Sequence, residues 1–309
     1  MRKIYGFGET VFDIIFKDGQ PVAAKPGGSV LNAFVSLGRL GWNPRFISEY
    51  ARDEVGALID SFLVENGVQT GFVSRFDMGK SALALAFLDG DNNASYSFYK
   101  DFPDERLQEL PSDLDVGDII LFGSIYANTS EVRDSILKFL EMGKEKGALI
   151  VYDPNFRKAH LPELEKLKPM IIENIAYADI VRGSDEDFQL IFGIEDAEEA
   201  ARLIDTRSRL LIYTQNSGDV RILYKSHQLE IPVEKIDAVS TIGAGDNFNA
   251  GIIHFLLNNG TTRQDIKEMS TTDILMMART GVQFASHVCQ NYDNYIDRQF
   301  ADATIETRL

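Results

Sequence analysis

The chain has 309 residues, 44% of them hydrophobic and 25% charged, which supplies apolar content for a large core in one domain and argues against global disorder. Its formal net charge of −16 repels phosphate backbones and anionic lipid, so nonspecific nucleic-acid and membrane partners are excluded, whereas an anionic small ligand in a local pocket is not. The single cysteine, Cys289, forbids an intrachain disulfide; with no signal-peptide pattern in the opening MRKIYGFGET and no run of about 18 apolar residues, a cytoplasmic protein without a membrane span is expected.

The first glycine cluster, GFGETV (6–11), follows a strand and begins like a dinucleotide-binding fingerprint, but Val11 stands where the third glycine belongs. TVFDIIFKDGQPVAAKPGG (10–28) turns at Asp18-Gly19. A helix opens within PGGSVLNAFVSLGRLG (26–41), with Leu31, Phe34, Val35 and Gly38 on its packing face. SRFDMGKS (74–81) ends like a phosphate-binding loop, yet Ser74 replaces its first glycine and an alternating strand follows. That strand belongs to KSALALAFLDGDNNASYSFYK (80–100), two alternating runs around Asp89-Gly90. Residues of about 11–25 and 80–102 are therefore expected to form a small antiparallel sheet, either a lid over the strand ends or an extension of the main sheet.

From about residue 117 the chain alternates β-rich runs with helical patterns. DIILFGS (118–124), ALIVYDPN (148–155), ADIVRGS (178–184) and RLLIYTQN (209–216) read as buried strands, with helices after the first two. Such alternation predicts parallel strands in a layered α/β sheet. Polar residues recur where these strands end: Gly8-Glu9, Asp153 to Arg157, Ser184 to Asp187, and Thr214 to Asn216. Ligands of open α/β sheets bind along that edge.

STIGAGDNFNAG (240–251) opens another helix, since Phe248, Ile252, Phe255 and Leu256 fall on one face. The first amides of a helix lack intrahelical partners and carry the positive end of its dipole. Gly243, Ala244 and Gly245 leave little bulk there, so an anion can reach the backbone N–H groups. Asp246 would repel a merely bound anion, but its carboxylate makes sense as the group that deprotonates a hydroxyl attacking a phosphoryl group. The alternative for the segment in isolation is a helix-capping aspartate with glycines that only turn the chain.

DAVSTIGAGDNFNAG closely resembles the C-terminal signature of the ribokinase-like (PfkB) carbohydrate kinase family, and PGGSVLNAFVSLGRLG resembles its G-G-x-x-x-N helix opening. The resemblance spans the whole chain. It implies one domain over 1–309, a three-layer α/β/α sandwich with a mostly parallel central sheet and a small β lid. It implies Asp246 as catalytic base, the backbone of Gly243, Ala244 and Gly245 as anion hole, and sugar contacts at Asp13, Gly27, Gly28 and Asn32. DPNFR (153–157) resembles the fructokinase and 2-keto-3-deoxygluconate kinase branches, placing Arg157 near the transferred phosphate. YSFYK (96–100) resembles a lid motif of those branches that usually ends in arginine; Lys100 takes that place, and Tyr96 and Phe98 are either sugar contacts or lid core.

The resemblance implies ATP and Mg²⁺. The N-x-x-E motif of the family appears as Ser184 and Asp187, which makes Ser184 nucleotide-binding and Asp187 a water-mediated magnesium ligand. The T-x-G near the nucleotide appears as Thr214, Gln215 and Asn216, with Gly218 close behind. Ser240 replaces the aspartate that helps hold a monovalent cation in related kinases, so weak or absent potassium dependence is expected. ASHVCQNYDNYID (285–297) lacks the usual G-A, and the adenine wall is left unassigned. A homodimer through the lid is implied by resemblance alone. The main reading is an ATP-dependent sugar kinase, with fructose or a related keto-sugar favoured; a nucleoside kinase of the same family and a noncatalytic sugar- or nucleotide-binding relative are the alternatives.

Overall fold

A computed structural model describes residues 2–88, 94–107, 109–215, 218–225 and 227–306, apart from the side chains of Ala94 and Tyr96. In chain order the elements begin with β1 (Ile4–Phe7), β2 (Val11–Lys17), β3 (Gln20–Gly27), α1 (Ser29–Arg39), β4 (Arg45–Ala51), α2 (Glu54–Glu65), β5 (Gln69–Phe76), β6 (Lys80–Leu88) and β7 (Ala94–Asp101). Then come β8 (Ile119–Gly123), α3 (Ser130–Lys146), β9 (Leu149–Asp153), α4 (Leu164–Tyr177), β10 (Ile180–Ser184), α5 (Asp185–Phe192), α6 (Ala197–Ile204) and β11 (Leu210–Thr214). The chain continues through β12 (Val220–Tyr224), β13 (His227–Ile231), α7 (Ala244–Asn258), α8 (Arg263–Ile266), α9 (Thr271–Cys289) and α10 (Arg298–Glu306).

The strands expected from sequence at 118–124, 148–155, 178–184 and 209–216 are β8 to β11, adjacent in a nine-stranded sheet of order β13-β12-β11-β10-β9-β8-β1-β4-β5. Its pairs are parallel from β5 to β11, and β12 and β13 add an antiparallel edge. The side chains of each central strand alternate between two cores, as a sheet covered on both faces requires. Ile119, Leu121, Leu149, Val151, Ile180, Leu210 and Ile212 join the layer under α1, α7 and α9. Ile120, Phe122, Ile150, Tyr152, Val181, Leu211 and Tyr213 join the opposite layer with α3 to α6. The result is the three-layer α/β/α sandwich. Among the described residues no helix is long and apolar enough to cross a membrane.

The second sheet has four strands in the order β3-β2-β6-β7. Its hairpins β2–β3 and β6–β7 are antiparallel, as expected, but β2 and β6 pair in parallel, so the sheet is mixed rather than antiparallel. The reason is topological. β2 follows β1 and β6 follows β5, both strands of the parallel sheet, so both leave its C-terminal edge and run outward in the same direction. The hairpin tip at Asp89-Gly90 lies outside the described residues.

Candidate active site

Helix α7 starts at Ala244, with Gly243 as its N-cap in the left-handed conformation (φ 82°). A side chain at 243 would meet the backbone of Asn294, 2.7 Å from its carbonyl oxygen, so a glycine is needed for both backbone angle and space. The carbonyl of Asn294 also accepts 2.8 Å from Asn247 Nδ2, which locks the loop after α9 against the first turn of α7. The opening of the helix is thus a rigid, small-residue cradle at the C-terminal edge of the sheet, in which the Ala244 amide makes a long 3.3 Å bond to the Thr241 carbonyl.

Asp246 lies in that first turn and is only 8% exposed. Burial pushes its carboxyl upward from the ordinary carboxylate range; hydrogen bonds from Asn32 and Ser29, then the positive charges of Arg157 and Arg182, act in the opposite sense. Asn32 Nδ2 donates to Asp246 Oδ2 at 2.9 Å. Asn32 is buried, and its Oδ1 has no hydrogen-bond partner among the described residues. An acceptor left bare beside a carboxylate suits an incoming hydroxyl donor.

The hairpin β2–β3 brings Asp13 and Gly27 to the same side: a side chain at 27 would collide with Asp13 Oδ2, and one at 28 with the Glu9 carbonyl. Burial, opposed by Lys25 and reinforced by Glu9, pushes the Asp13 carboxyl up to about 6. Lys25 on β3 donates 2.7 Å to the Tyr292 carbonyl and 3.0 Å to Asn294 Oδ1, tying the small sheet to the loop that backs Gly243. Phe98 and Lys100 sit on β7, where Phe98 is 52% exposed and the Lys100 ammonium lies 5.5 Å from its ring centroid.

Asp153 and Thr214 are the last residues of β9 and β11, and Arg182 is the middle residue of β10 between them. Each stands two residues beyond an aliphatic side chain of the α7-facing layer (Val151, Ile180 and Ile212), so all three point to that face. Arg182 Nη1 donates to Asp153 Oδ2 at 3.1 Å and Nη2 to Thr214 Oγ1 at 2.8 Å. Asn249, one turn beyond Asp246, donates to the same Asp153 oxygen at 2.6 Å. Burial raises the Asp153 carboxyl to about 6, with Arg182 opposing and Asp187 reinforcing. Sequence reasoning passed over Arg182, Ser29 and Asn249. The signal for Arg182 was available: a guanidinium inside a buried strand is expensive unless paired.

The remaining expected residues are more dispersed. Arg157 is exposed and follows a tight turn in which Asn155 N–H donates to Asp153 Oδ1 at 3.0 Å. Asp187, expected beside magnesium, instead closes a capping box on α5: its Oδ2 accepts from the Ser184 amide and hydroxyl, and its Oδ1 from the Phe156 amide at 2.6 Å. Ser184 and Thr214, expected at the nucleotide, spend their hydroxyls inside the protein. Gly218 lies at the far side of the β11–β12 turn, against Gln215, and Asn216 falls outside the described residues. No group of three His, Cys, Asp or Glu side chains among the described residues could hold a metal ion.

Comparisons with known proteins bear on the family and the fold. Residues 1–297 match the profile of the pfkB family of carbohydrate kinases. Fructokinase-1 of Oryza sativa subsp. japonica is 28% identical over 281 residues, 86% of each chain. A fructokinase from Vibrio cholerae O395, solved with fructose, ADP and calcium, superposes with a TM-score of 0.84 at 21% identity and covers 99% of both chains. A fructokinase from Xylella fastidiosa with bound ATP gives 0.83 at 20% identity, covering 100% of this chain and 99% of its own. At these identities the two structures speak for the fold.

Proposed function

The chain belongs to the pfkB family of carbohydrate kinases, and on that premise we propose that it transfers the γ-phosphoryl group of ATP to a hydroxyl of a small sugar, with fructose or a related keto-sugar as acceptor. The observation that carries the reading is the Asp246 carboxylate, buried, held by Asn32 and Ser29, and seated in the first turn of a glycine-opened helix. Fructose is favoured by DPNFR and by the names of the relatives, which are fructokinases.

In this reading Asp13, the backbone at Gly27 and Gly28, and Asn32 hold the sugar, and the small sheet closes over it with Phe98 and Lys100. Asp246 takes the proton of the attacking hydroxyl, whose oxygen forms the new bond to the γ-phosphorus as the bond to the β–γ bridging oxygen breaks and ADP leaves. The amides at Gly243, Ala244 and Gly245 face the charge spreading over the transferred group, with Arg157 beside it. Closure excludes water and so guards against ATP hydrolysis. Because both Asp187 oxygens accept hydrogen bonds inside the protein, Mg²⁺ enters as part of the nucleotide substrate, and Asp187 would reach it only through water. Ser184, Thr214, Asn216 and Gly218 border the nucleotide. The exposed Val22, Phe87 and Tyr99 of the small sheet favour a homodimer through the lid, checked by sedimentation.

The test is ADP release against fructose, ribose, 2-keto-3-deoxygluconate and adenosine. The reading expects ADP in step with a sugar acceptor, fructose leading. Adenosine as preferred acceptor would select the nucleoside kinase, and no acceptor-dependent ADP would select a noncatalytic relative.

A further inference from the structure

Arg182 has three connections that the sheet tip alone does not require. It pairs with Asp153 and Thr214 on either side. Its guanidinium also rests against the backbone of Gly245: a side chain placed there would come within 2.6 Å of Nη1 and 3.1 Å of Cζ. And its Cζ stands 5.8 Å from the centroid of the Phe248 ring, on the next turn of the same helix. The Arg182 side chain is 11% exposed, and its Nε is buried with no partner among the described residues. The arginine therefore fills the gap between the C-terminal halves of β9, β10 and β11 and the first turn of α7.

We propose that Arg182 is a positioning residue for phosphoryl transfer: its guanidinium, anchored by Asp153 and Thr214, braces the glycine cradle at Gly245 and places a buried positive charge against the turn that carries Asp246. This rests on the assignment of Asp246 as base. The groups around that carboxylate are Ser29 and Asn32 from α1, Arg157 from the loop after β9, Arg182 from β10, and the opposing carboxylate of Asp153 from β9. Arg157 is exposed and screened by water. Both guanidiniums favour the ionised carboxylate, Arg157 more strongly than Arg182, but Arg182 is the buried one, fixed by Asp153 and Thr214 against the turn that carries Asp246. A base must be ionised to accept a proton, and desolvation works against that. Removing the buried cation raises the pH needed for turnover, whereas a purely architectural arginine would change stability and leave the pH profile in place.

The experiment is the kcat–pH profile of four enzymes with the preferred acceptor: wild type, D153N, D153N/R182M and R182K. D153N is the reference for the double variant because Arg182→Met alone strands a buried carboxylate. Relative to D153N, the double variant is expected to lose kcat by at least about tenfold and to shift its acid limb upward by about one pH unit, the scale of losing a nearby opposite charge. R182K, which keeps charge but not the planar fork, is expected to leave the limb in place and to lower kcat several-fold. A folded double variant whose acid limb coincides with that of D153N overturns the proposal. Should the double variant not fold, R182K decides: a kcat equal to wild type overturns the bracing role. Asp246→Asn separates the two assignments. If it retains turnover, the base assignment fails; if it is inactive while the acid limb of the double variant does not move, only the role of Arg182 fails.

Discussion

The two sides of Asp246 are built differently. Toward the sugar, α1 and the β2–β3 hairpin present polar groups directly: Asn32 Oδ1 has no partner among the described residues, and Asp13 keeps a carboxyl raised by burial. On the proposed nucleotide side, three of the side chains expected there already have internal partners: Ser184 and Asp187 on a helix cap, and Thr214 on Arg182. What that side offers is backbone: the amides of a helix that begins in a small-residue cradle, beside an exposed stretch at Thr241 and Ile242. On the proposed assignment the sugar side would recognise by side chain, and the nucleotide side by main chain and by the charges behind it. Polar side-chain recognition is discriminating because an unmatched ligand leaves buried groups unpaired, whereas a helix N-terminus accepts any suitably placed phosphate.

This contrast can be broken first at the cradle. Gly245→Ala pushes a methyl into the Arg182 guanidinium, and kcat is expected to fall by about ten- to a hundredfold, the scale of a misplaced reacting group, with sugar KM nearly unchanged. Steady-state kinetics check it; a selective rise in sugar KM would mean that the cradle belongs to the acceptor side.

On the sugar side, Asp13→Asn is expected to raise sugar KM by about tenfold, as for loss of a charged hydrogen-bond partner, with little change in ATP KM. The same variant carries a stability signature. The folded carboxyl titrates near 6, above its unfolded value of about 3.9. The native state then binds the extra proton between those pH values, and native stability falls as pH rises through that window. Asp13→Asn is therefore expected to raise Tm above pH 6 and to lose that advantage below about pH 4. Thermal melts at both extremes measure it; an advantage independent of pH would contradict the buried-charge explanation.

The smallest effect concerns potassium. Ser240 donates its amide to the Cys289 carbonyl at 3.2 Å, and its hydroxyl accepts from Ile242 N–H at 3.2 Å, so the turn is closed without a carboxylate. Lacking that Coulombic attraction, kcat is expected to change by less than about twofold when K⁺ replaces Na⁺ at fixed ionic strength. A strong potassium response would contradict it.

Much of the fold was legible because its signals are local. Alternation of strands and helices fixed the parallel sheet, and the glycine cluster before an apolar stripe marked the start of α7. The small sheet was legible only as hairpins. That β2 and β6 run parallel follows from where both strands leave the main sheet, a long-range fact that turn residues do not encode. The site divided in the same way. Asp246 and Asn32 stand in motifs dictated by helix geometry, whereas Asp153, Arg182 and Thr214 meet only because three strands are neighbours in one phase. Their spacing from inward aliphatics is written in each strand, but their adjacency is not. Asp187 shows the same limit: a carboxylate three residues after a serine at a helix start is chemically suited to a capping box, and both of its oxygens accept local hydrogen bonds.

The most direct test of the account is Asp246→Asn, assayed for ADP formation with the preferred sugar and for ATP binding by titration calorimetry. The expected result is a kcat lower by at least about 10²-fold, the low end for loss of a general base, with ATP affinity retained. Turnover close to wild type would contradict the assignment of this carboxylate as the proton acceptor.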